Sequence, residues 1–329
     1  MYIQYLGISL CKRYADDVEM GSAALQKEVV VNPAISVVLP IFKPDLHQLI
    51  EALDSISDQT FRDFECLCIY DAPDEATTQI LSEYVKKDLR FKILFGSNSG
   101  LIDALNYGLN SASGRYIARM DADDISLKER FQFQYELLEV DNFDIVGGHY
   151  FVINGAGKYI SARVVPIKLS EINLTLGSTV PFAHSSVMIR ANYLKKEGLR
   201  YGLGKHKVAE DYQLWTQMVA KGARFGNVDG WILKYRWGEN SLSQRVKAKN
   251  KKDMLRIRDE YFSNNNDKLY EAVVSLVSTK NSDEIEEAIV YMAWKFAIKK
   301  LYIKPIFMLY KKSRRFIAQG ILKYLFEKI

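Results

Sequence analysis

Strand-like and helix-like segments alternate from residue 35 to residue 120 of this 329-residue chain. Residues 35–40 form a short apolar run typical of a buried strand, and Asp45 then stands where a capping residue would begin a helix. The same patterns predict further strands at 64–69, 91–95 and 116–120 and further helices at 76–87 and 101–110. This alternation predicts an α/β fold in which a mostly parallel, mixed sheet carries helices on both faces.

Three segments that follow predicted strands are candidates for a ligand site. Residues 40–43 follow the first strand, Asp71 follows the second, and Asp121-Ala122-Asp123-Asp124 follows the fourth. In sheets of this kind, ligands bind beyond the carboxyl ends of the strands, so we expect these segments to face one crevice. The clustered carboxylates would be costly without a cation, which predicts Mn²⁺ or Mg²⁺ together with a phosphate-bearing ligand. Asp124 could instead simply cap a following helix.

The remainder of the chain has a looser pattern. Residues 154–157 read as a hairpin, residues 185–189 and 232–236 as strands, and Glu210 as the start of a helix. Residues 1–34 lack a clear period and are predicted to be an N-terminal extension. From residue 246 onward the pattern is helical, and from residue 290 it carries ten Lys or Arg but one acidic residue, Glu327.

The composition is that of an ordinary globular protein, with 48% hydrophobic and 26% charged residues. The three cysteines, Cys11, Cys66 and Cys68, have neither a disulfide framework nor the spacing of a zinc or redox site. We also find no secretory signal pattern and no apolar run near the ~18 residues of a membrane span. These observations predict a cytoplasmic protein. A dinucleotide dehydrogenase is disfavoured because no Gly-x-Gly-x-x-Gly follows the first strand.

Seven fragments of the sequence occur in the order and spacing of a known family, at residues 35–42, 59–61, 98–100, 104–108, 114–124, 183–186 and 210–215. Together they resemble the family 2 glycosyltransferases of bacterial capsule, O-antigen and exopolysaccharide synthesis. The resemblance implies a GT-A fold, with a Rossmann-like catalytic domain at 35–245. The ends of the chain lie outside the resemblance, and the helical pattern alone predicts a C-terminal helical, basic region at 246–329. It also implies a metal-dependent, inverting transfer of one sugar from a UDP-sugar to an acceptor hydroxyl.

The resemblance also assigns residues to the sugar donor. It implies that Asp71 binds the uracil ring, that Asp121 lies near the ribose and the metal, and that Asp123 ligates the metal directly. The other nucleotide-sugar-binding residues that it implies are Pro40, Phe42, Asn98, Gly100, Asn106 and Ala122. The chain departs from the family at Tyr70, where an acid usually precedes the base-binding aspartate.

On the acceptor side, Glu210-Asp211 matches the acidic pair of the family. The resemblance implies that Asp211 is the general base, while Glu210 orients the acceptor or its loop. A single displacement needs an ionised carboxylate opposite the departing diphosphate, and a helix N-terminus favours that ionised form. The alternative is a pair that only caps the helix.

A second departure concerns the metal. Gly238 stands where many relatives have a histidine that assists the metal or the diphosphate. His184, Arg236 and Glu239 are therefore further candidates for the site, although a histidine such as His184 is as often structural. Because of Tyr70 and Gly238, the alternative function is a catalytically inactive, nucleotide-sugar-binding scaffold of a polysaccharide assembly complex.

The expected partners follow from the same resemblance. The Gln-x-x-Arg-Trp motif of processive synthases is absent after Ser243, which favours transfer of a single sugar. The resemblance implies a glycan or lipid-linked acceptor at the inner face of the cytoplasmic membrane. The basic amphipathic region after residue 290 would suit an anionic membrane surface, or it would pack on the catalytic domain with a solvated basic face. We expect no nucleic acid, because this region lacks a recognisable binding module.

Overall fold

The computed structural model describes residues 33–97, 99–177, 180–203 and 209–238, and parts of 253–265. The described strands are β1 (Ile35–Ile41), β2 (Phe64–Tyr70), β3 (Phe91–Phe95), β4 (Tyr116–Arg119), β5 (Ile125–Ser126), β6 (Ile145–Ile153), β7 (Tyr159–Arg163), β8 (Met188–Arg190) and β9 (Phe225–Arg236). The helices between them are α1 (Leu46–Ser57), α2 (Glu75–Lys87), α3 (Leu101–Ser111), α4 (Arg130–Val140), α5 (Leu169–Leu176), α6 (Ala191–Glu197) and α7 (Glu210–Ala220).

These strands form one mixed sheet in the order β3-β2-β1-β4-β8-β6-β9-β5, and β7 pairs with β6. Strands β1 to β4 are mutually parallel, and β6 and β9 are parallel to each other. Strands β5, β7 and β8 run antiparallel to their neighbours. The sheet is therefore mixed and mostly parallel, as the alternation of segments predicts.

Helices cover both faces of the sheet and create two hydrophobic cores. Helices α1, α2 and α4 pack on one face, and α3, α5, α6 and α7 pack on the other. Along β1, Val37 and Leu39 enter the first core, whereas Val38 enters the second. Both faces of the central strands are buried, which explains why these strands read as continuous apolar runs rather than as an alternation.

Local sequence signals fix several of the element boundaries. Asp45 caps α1 as predicted, because its carboxylate accepts a 3.1 Å hydrogen bond from the backbone of Gln48. The strand predicted at 185–189 is wrong in its first half, where His184–Ser186 forms a short 3₁₀ turn. There Ser185 donates to Asp124, and Ser186 donates to a backbone carbonyl 2.7 Å away, so both hydroxyls favour a turn.

Helical residues after β9 pack against α5 and α7. Ile257 and Tyr261 are buried in the core with α5 and α7, and the hydroxyl of Tyr261 donates to the carbonyl of Asn173 at 2.9 Å. Most of the predicted extensions at 1–34 and 246–329, and the boundary at 245, lie outside the described residues and stay predictions. Across the ranges given above, no helix combines the length and apolarity that spanning a membrane requires.

Candidate active site

A pocket opens beside Asp71, at the carboxyl ends of β2 and β3. It has a volume of about 200 Å³ and is lined by Asp71, Phe95, Gly96, Ser97, Asp103, Ala104 and Tyr107. Asp71 is buried, and its carboxylate accepts a 3.0 Å hydrogen bond from the backbone of Gly100, which begins α3. The backbone N–H of Asp71 donates to Ile41 at 2.9 Å. Asp71 is thus held in the pocket wall by β1 through its backbone and by the start of α3 through its carboxylate.

Gly96 makes this position of Asp71 sterically possible. A Cβ atom on Gly96 would lie 2.3 Å from Oδ1 of Asp71, which is closer than real Cβ atoms approach, and 3.2 Å from its Cα, which is tighter than most real contacts. The backbone of Gly96 also donates to the carbonyl of Tyr70 at 2.8 Å. The end of β3 therefore closes against the carboxylate only because residue 96 has no side chain.

Tyr70 lies on the opposite face of the sheet from this pocket. Its ring is buried in the core with α1 and α2, and its hydroxyl lies 2.6 Å from both Oδ2 and the backbone nitrogen of Asp74. Asp74 in turn caps α2 by accepting from the backbone of Thr77 at 2.9 Å. Tyr70 thus supports the β2–α2 loop and leaves the pocket wall to Asp71.

The other residues predicted to bind the nucleotide differ in their exposure and in their partners. Phe42 follows β1 with its ring 57% exposed, and Pro40 is half-buried at the end of the same strand. Asn106 is on α3, but both polar atoms of its amide bond to the backbone of Tyr201 at 3.0 Å. Asn98 lies outside the described residues.

An acidic turn follows β4 at the same edge of the sheet. Carboxylate oxygens of Asp121, Asp123 and Asp124 lie within 4.8 Å of one another. Ala122 stands in the turn and packs against the core. Asp124 does not cap a helix, because it is followed by β5 and α4 begins only at Arg130. The alternative interpretation of Asp124 as a helix cap is therefore wrong.

The charges of this turn are incompletely balanced by the protein. Burial and the neighbouring Asp121 raise the pKa of Asp123 to about 6. Burial, together with Asp121 and Asp123, also raises the pKa of Asp124 well above its ordinary value. A divalent cation would stabilise the ionised form of these crowded carboxylates. Because Mg²⁺ and Mn²⁺ prefer carboxylate oxygens as ligands, the three aspartates fit either ion.

Arg236, at the end of β9, holds the acidic turn in place. Its Nε donates to the carbonyl of Asp123 at 2.6 Å, and its Nη2 pairs with Glu51 at 2.6 Å. Its Nη1 donates to Asn154 at 3.1 Å and to Gly155 at 3.0 Å, in the β6–β7 hairpin. The guanidinium is buried and engaged on every side, so it supports the turn. Glu239, another predicted candidate, lies outside the described residues.

Arg119 belongs to the site, although the sequence analysis assigned it no function. It is 4% exposed and forms an ion pair with Asp121. Burial opposes its charge, but Asp121, with smaller contributions from Tyr201 and Asp124, outweighs burial and raises the pKa of Arg119. The signal for Arg119 was an arginine within an apolar strand directly before three aspartates, a position where charge is costly unless it is paired.

The acidic pair begins α7 on the same side of the sheet as α3. Burial raises the pKa of Glu210 to about 7, with a contribution from Asp211. Burial also raises the pKa of Asp211, although the backbone of Tyr212 donates to its carboxylate at 2.7 Å and Arg119 opposes the shift. The sequence predicted that the helix N-terminus favours the ionised form, and the structure shows burial acting against it.

His184 lies beside the acidic pair, with its side chain 11% exposed. Its Nε2 lies 2.9 Å from the hydroxyl of Tyr201, and its Nδ1 lies 3.9 Å from Oε1 of Glu210. Burial and the charge of Arg119 lower the pKa of His184 well below its ordinary value, so the imidazole is neutral at physiological pH. The imidazole thus contacts Tyr201 and faces Glu210, whereas the acidic turn is contacted by the next residue, Ser185.

Comparison with known proteins identifies the chain. A family model described as Glycosyl transferase family 2 matches residues 36–198. The uncharacterized glycosyltransferase MJ1057 of Methanocaldococcus jannaschii is 30% identical over 223 residues, which cover 66% of this chain and 76% of that protein. The O-antigen biosynthesis glycosyltransferase WbnJ of Escherichia coli is 33% identical over 219 residues, which cover 65% and 84%. The chain belongs to glycosyltransferase family 2.

Solved structures confirm the predicted fold of this glycosyltransferase. The S. aureus TarS 1-349 structure in complex with UDP matches with a TM-score of 0.54 and 16% identity, covering 88% of this chain and 87% of that one. The likeness shows a GT-A fold. The predicted family and fold are therefore both correct.

The family motif at residues 59–61 has a structural role in this glycosyltransferase. The side chain of Gln59 is buried between α1, β5 and α4. Its Nε2 donates to the carbonyls of Ser55 at 3.0 Å and Leu127 at 2.8 Å, and its Oε1 accepts from the backbone of Phe131 at 3.0 Å. Gln59 thus fixes the elements that follow the acidic turn.

Proposed function

We propose that the chain is an inverting, metal-dependent glycosyltransferase that moves a single sugar from a UDP-sugar to an acceptor hydroxyl. The observation that carries the proposal is the position of three groups at one edge of the sheet: the pocket of Asp71, the acidic turn at 121–124 and the acidic pair that begins α7. A nucleoside, a diphosphate with its metal and an acceptor require three such groups.

The nucleoside is assigned to the pocket beside Asp71. A carboxylate there accepts a hydrogen bond from the N3–H of uracil, while the exposed ring of Phe42 offers a stacking surface. The TarS structures solved with UDP and with UDP-GlcNAc share the fold, which supports a uridine nucleotide for this chain as well. Gly100 and the Asp121–Ala122 turn complete the predicted nucleotide-sugar site.

Asp121 and Asp123 would hold Mg²⁺ or Mn²⁺, and the ion supplies positive charge that stabilises the departing diphosphate. In the proposed reaction, the carboxylate of Asp211 accepts the proton of the acceptor hydroxyl. The acceptor oxygen forms a bond to the anomeric carbon on the face opposite the diphosphate. The bond between that carbon and the diphosphate oxygen breaks, and its electron pair leaves with UDP.

The proposed acceptor is a glycan or lipid-linked oligosaccharide of surface-polysaccharide synthesis, at the inner face of the cytoplasmic membrane. The name of WbnJ, an O-antigen biosynthesis enzyme, supports the pathway class. The basic region after residue 290 supports the membrane surface. The inactive-scaffold alternative rests on Tyr70 and Gly238, and it is weakened because Tyr70 lies away from the pocket and supports α2.

A panel of UDP-, GDP- and TDP-sugars with Mn²⁺, Mg²⁺ or EDTA tests this proposal through release of the nucleoside diphosphate. We expect metal-dependent release of UDP by the wild type. Asp123→Ala should abolish release, whereas Asp141→Ala, at an exposed aspartate after α4, should retain it. Equal release with EDTA would refute metal dependence. An α-linked product from an α-linked UDP-sugar, assigned by NMR, would refute inversion.

A further inference from the structure

Residues 199–203, which follow α6, are fastened to helix α3. The amide of Asn106 donates to the carbonyl of Tyr201 at 3.0 Å, and the backbone N–H of Tyr201 donates back to Oδ1 of Asn106 at 3.0 Å. Gly202 adopts φ of +74°, and a Cβ there would lie 2.9 Å from Cγ2 of Ile102. The left-handed backbone and the close approach both require glycine, so this segment rests directly on α3.

The backbone of Tyr201 contacts α3, and its side chain extends toward the acidic pair. It is 3% exposed, and its hydroxyl lies 2.9 Å from Nε2 of His184. The neutral imidazole has one donor and one acceptor nitrogen, so a hydroxyl that donates to Nε2 leaves the ring hydrogen on Nδ1. Nδ1 is the atom that faces Glu210, at 3.9 Å. The ring of His184 also meets Trp215 of α7 edge to face, with centroids 5.9 Å apart.

The first turn of α7 needs such support. Ala209, directly before Glu210, adopts φ of +59°, a left-handed conformation that is unfavourable for a residue with a Cβ. A backbone of this kind persists only where the surrounding structure holds it. Tyr201 contacts His184, and the ring of His184 in turn faces Glu210 in this turn. The path begins at α3, the helix whose first turn lines the pocket beside Asp71.

We propose that Asn106, Tyr201 and His184 are positioning residues that fix the Glu210–Asp211 turn relative to helix α3. The inference rests on the proposed function, because it gives Asp211 the role of general base. It assigns Asn106 to the support of the base, since both ends of its amide are used by Tyr201. The three residues thereby connect the helix that holds the sugar nucleotide to the carboxylate that activates the acceptor.

Tyr201→Phe tests the chain of contacts by removing one hydroxyl. We expect kcat for transfer to fall about tenfold, because the base is misplaced. The KM for the sugar nucleotide and the affinity for UDP should stay within about twofold of wild type, because the nucleoside pocket keeps its residues. Tyr116→Phe is the matched control, since that buried hydroxyl donates to Glu139 at 2.6 Å on the opposite face of the sheet. Its kcat should be unchanged.

A double-mutant cycle adds a readout that a purely structural role would not move. His184→Asn should lower kcat in the wild type but add little in the Tyr201→Phe background, because both act through one chain of contacts. Unchanged kcat in Tyr201→Phe, or a lower urea midpoint with normal kcat, would overturn this inference. If Asp211→Asn turned over like the wild type, the proposed function itself would fail, so the two failures are distinguishable.

Discussion

The backbone N–H of Arg236 lies 2.6 Å from Oδ1 of Asp124, although the two residues are 112 positions apart in the chain. The hydrogen bond connects the end of β9 to the acidic turn after β4. The side chain of Arg236 contacts the same turn through the carbonyl of Asp123. The position of the acidic turn is therefore set by a strand from the far end of the catalytic domain.

Arg236→Met should destabilise the protein and weaken metal-dependent UDP binding together. The substitution keeps most of the side-chain length but leaves Glu51 and three carbonyls without their buried donor, at a cost of about 3 kcal/mol. Urea unfolding and calorimetric UDP titration with Mn²⁺ would measure the two effects. Arg62→Met, at an exposed arginine, should change neither. A variant of Arg236 with normal stability would contradict the support role.

Gly96→Ala should weaken UDP binding at least about tenfold, and it should lower the unfolding free energy by about 1 kcal/mol because the displaced carboxylate of Asp71 loses its hydrogen bond from Gly100. The added Cβ would meet the end of the Asp71 side chain, and that carboxylate would swing out of the pocket wall. Gly155→Ala is the matched control, because a Cβ there meets no atom within 4 Å. Equal UDP affinity in the wild type and Gly96→Ala would mean that Asp71 does not contact the base.

Sequence patterning was sufficient where the determinants are local. The predicted strand at 91–95 and the Asp45 cap agree with the structure because apolar runs and capping residues act within a few positions. Strand β9, predicted at 232–236, begins at Phe225, where it pairs in parallel with Ile145 of β6. No local signal reports such a pairing between distant segments.

The candidate site divides in the same way. The acidic turn and the acidic pair are contiguous motifs, so the sequence identified them. The function of Arg119 depends on which carboxylates surround it, and that of Tyr201 depends on a helix 95 positions earlier. Such contacts are products of the fold. The sequence also gave no sign of the importance of Gly96, because that residue matters through the space it leaves for Asp71.

The buried carboxylate of Glu65 should make stability depend on pH. Burial acts to raise its pKa, but hydrogen bonds from Lys92, Ser113 and Ser36 outweigh burial and lower it. The stabilising contribution of Glu65 to the free energy of unfolding is therefore complete above its ordinary pKa of 4.5. It is lost as the pH falls through the lower pKa of the folded protein.

Glu65→Gln should cost about 2 kcal/mol at pH 7 and should flatten the decline of stability in acid. Urea unfolding of both proteins between pH 7 and pH 3 would measure this difference. The exposed pair of Glu83 and Lys87 gives the control Glu83→Gln, which should retain the slope of the wild type. Parallel curves for Glu65→Gln and the wild type would contradict the assignment.

The most direct test of the account is transfer by Asp211→Asn with a UDP-sugar, Mn²⁺ and membrane lipid extract as acceptor. The amide cannot accept the proton of the hydroxyl, so we predict that kcat falls about 10²- to 10⁴-fold while UDP affinity stays within about twofold. Asp141→Asn should keep full activity. Turnover by Asp211→Asn near that of the wild type would contradict Asp211 as the base, and tight donor binding without any transfer by the wild type would instead indicate a scaffold.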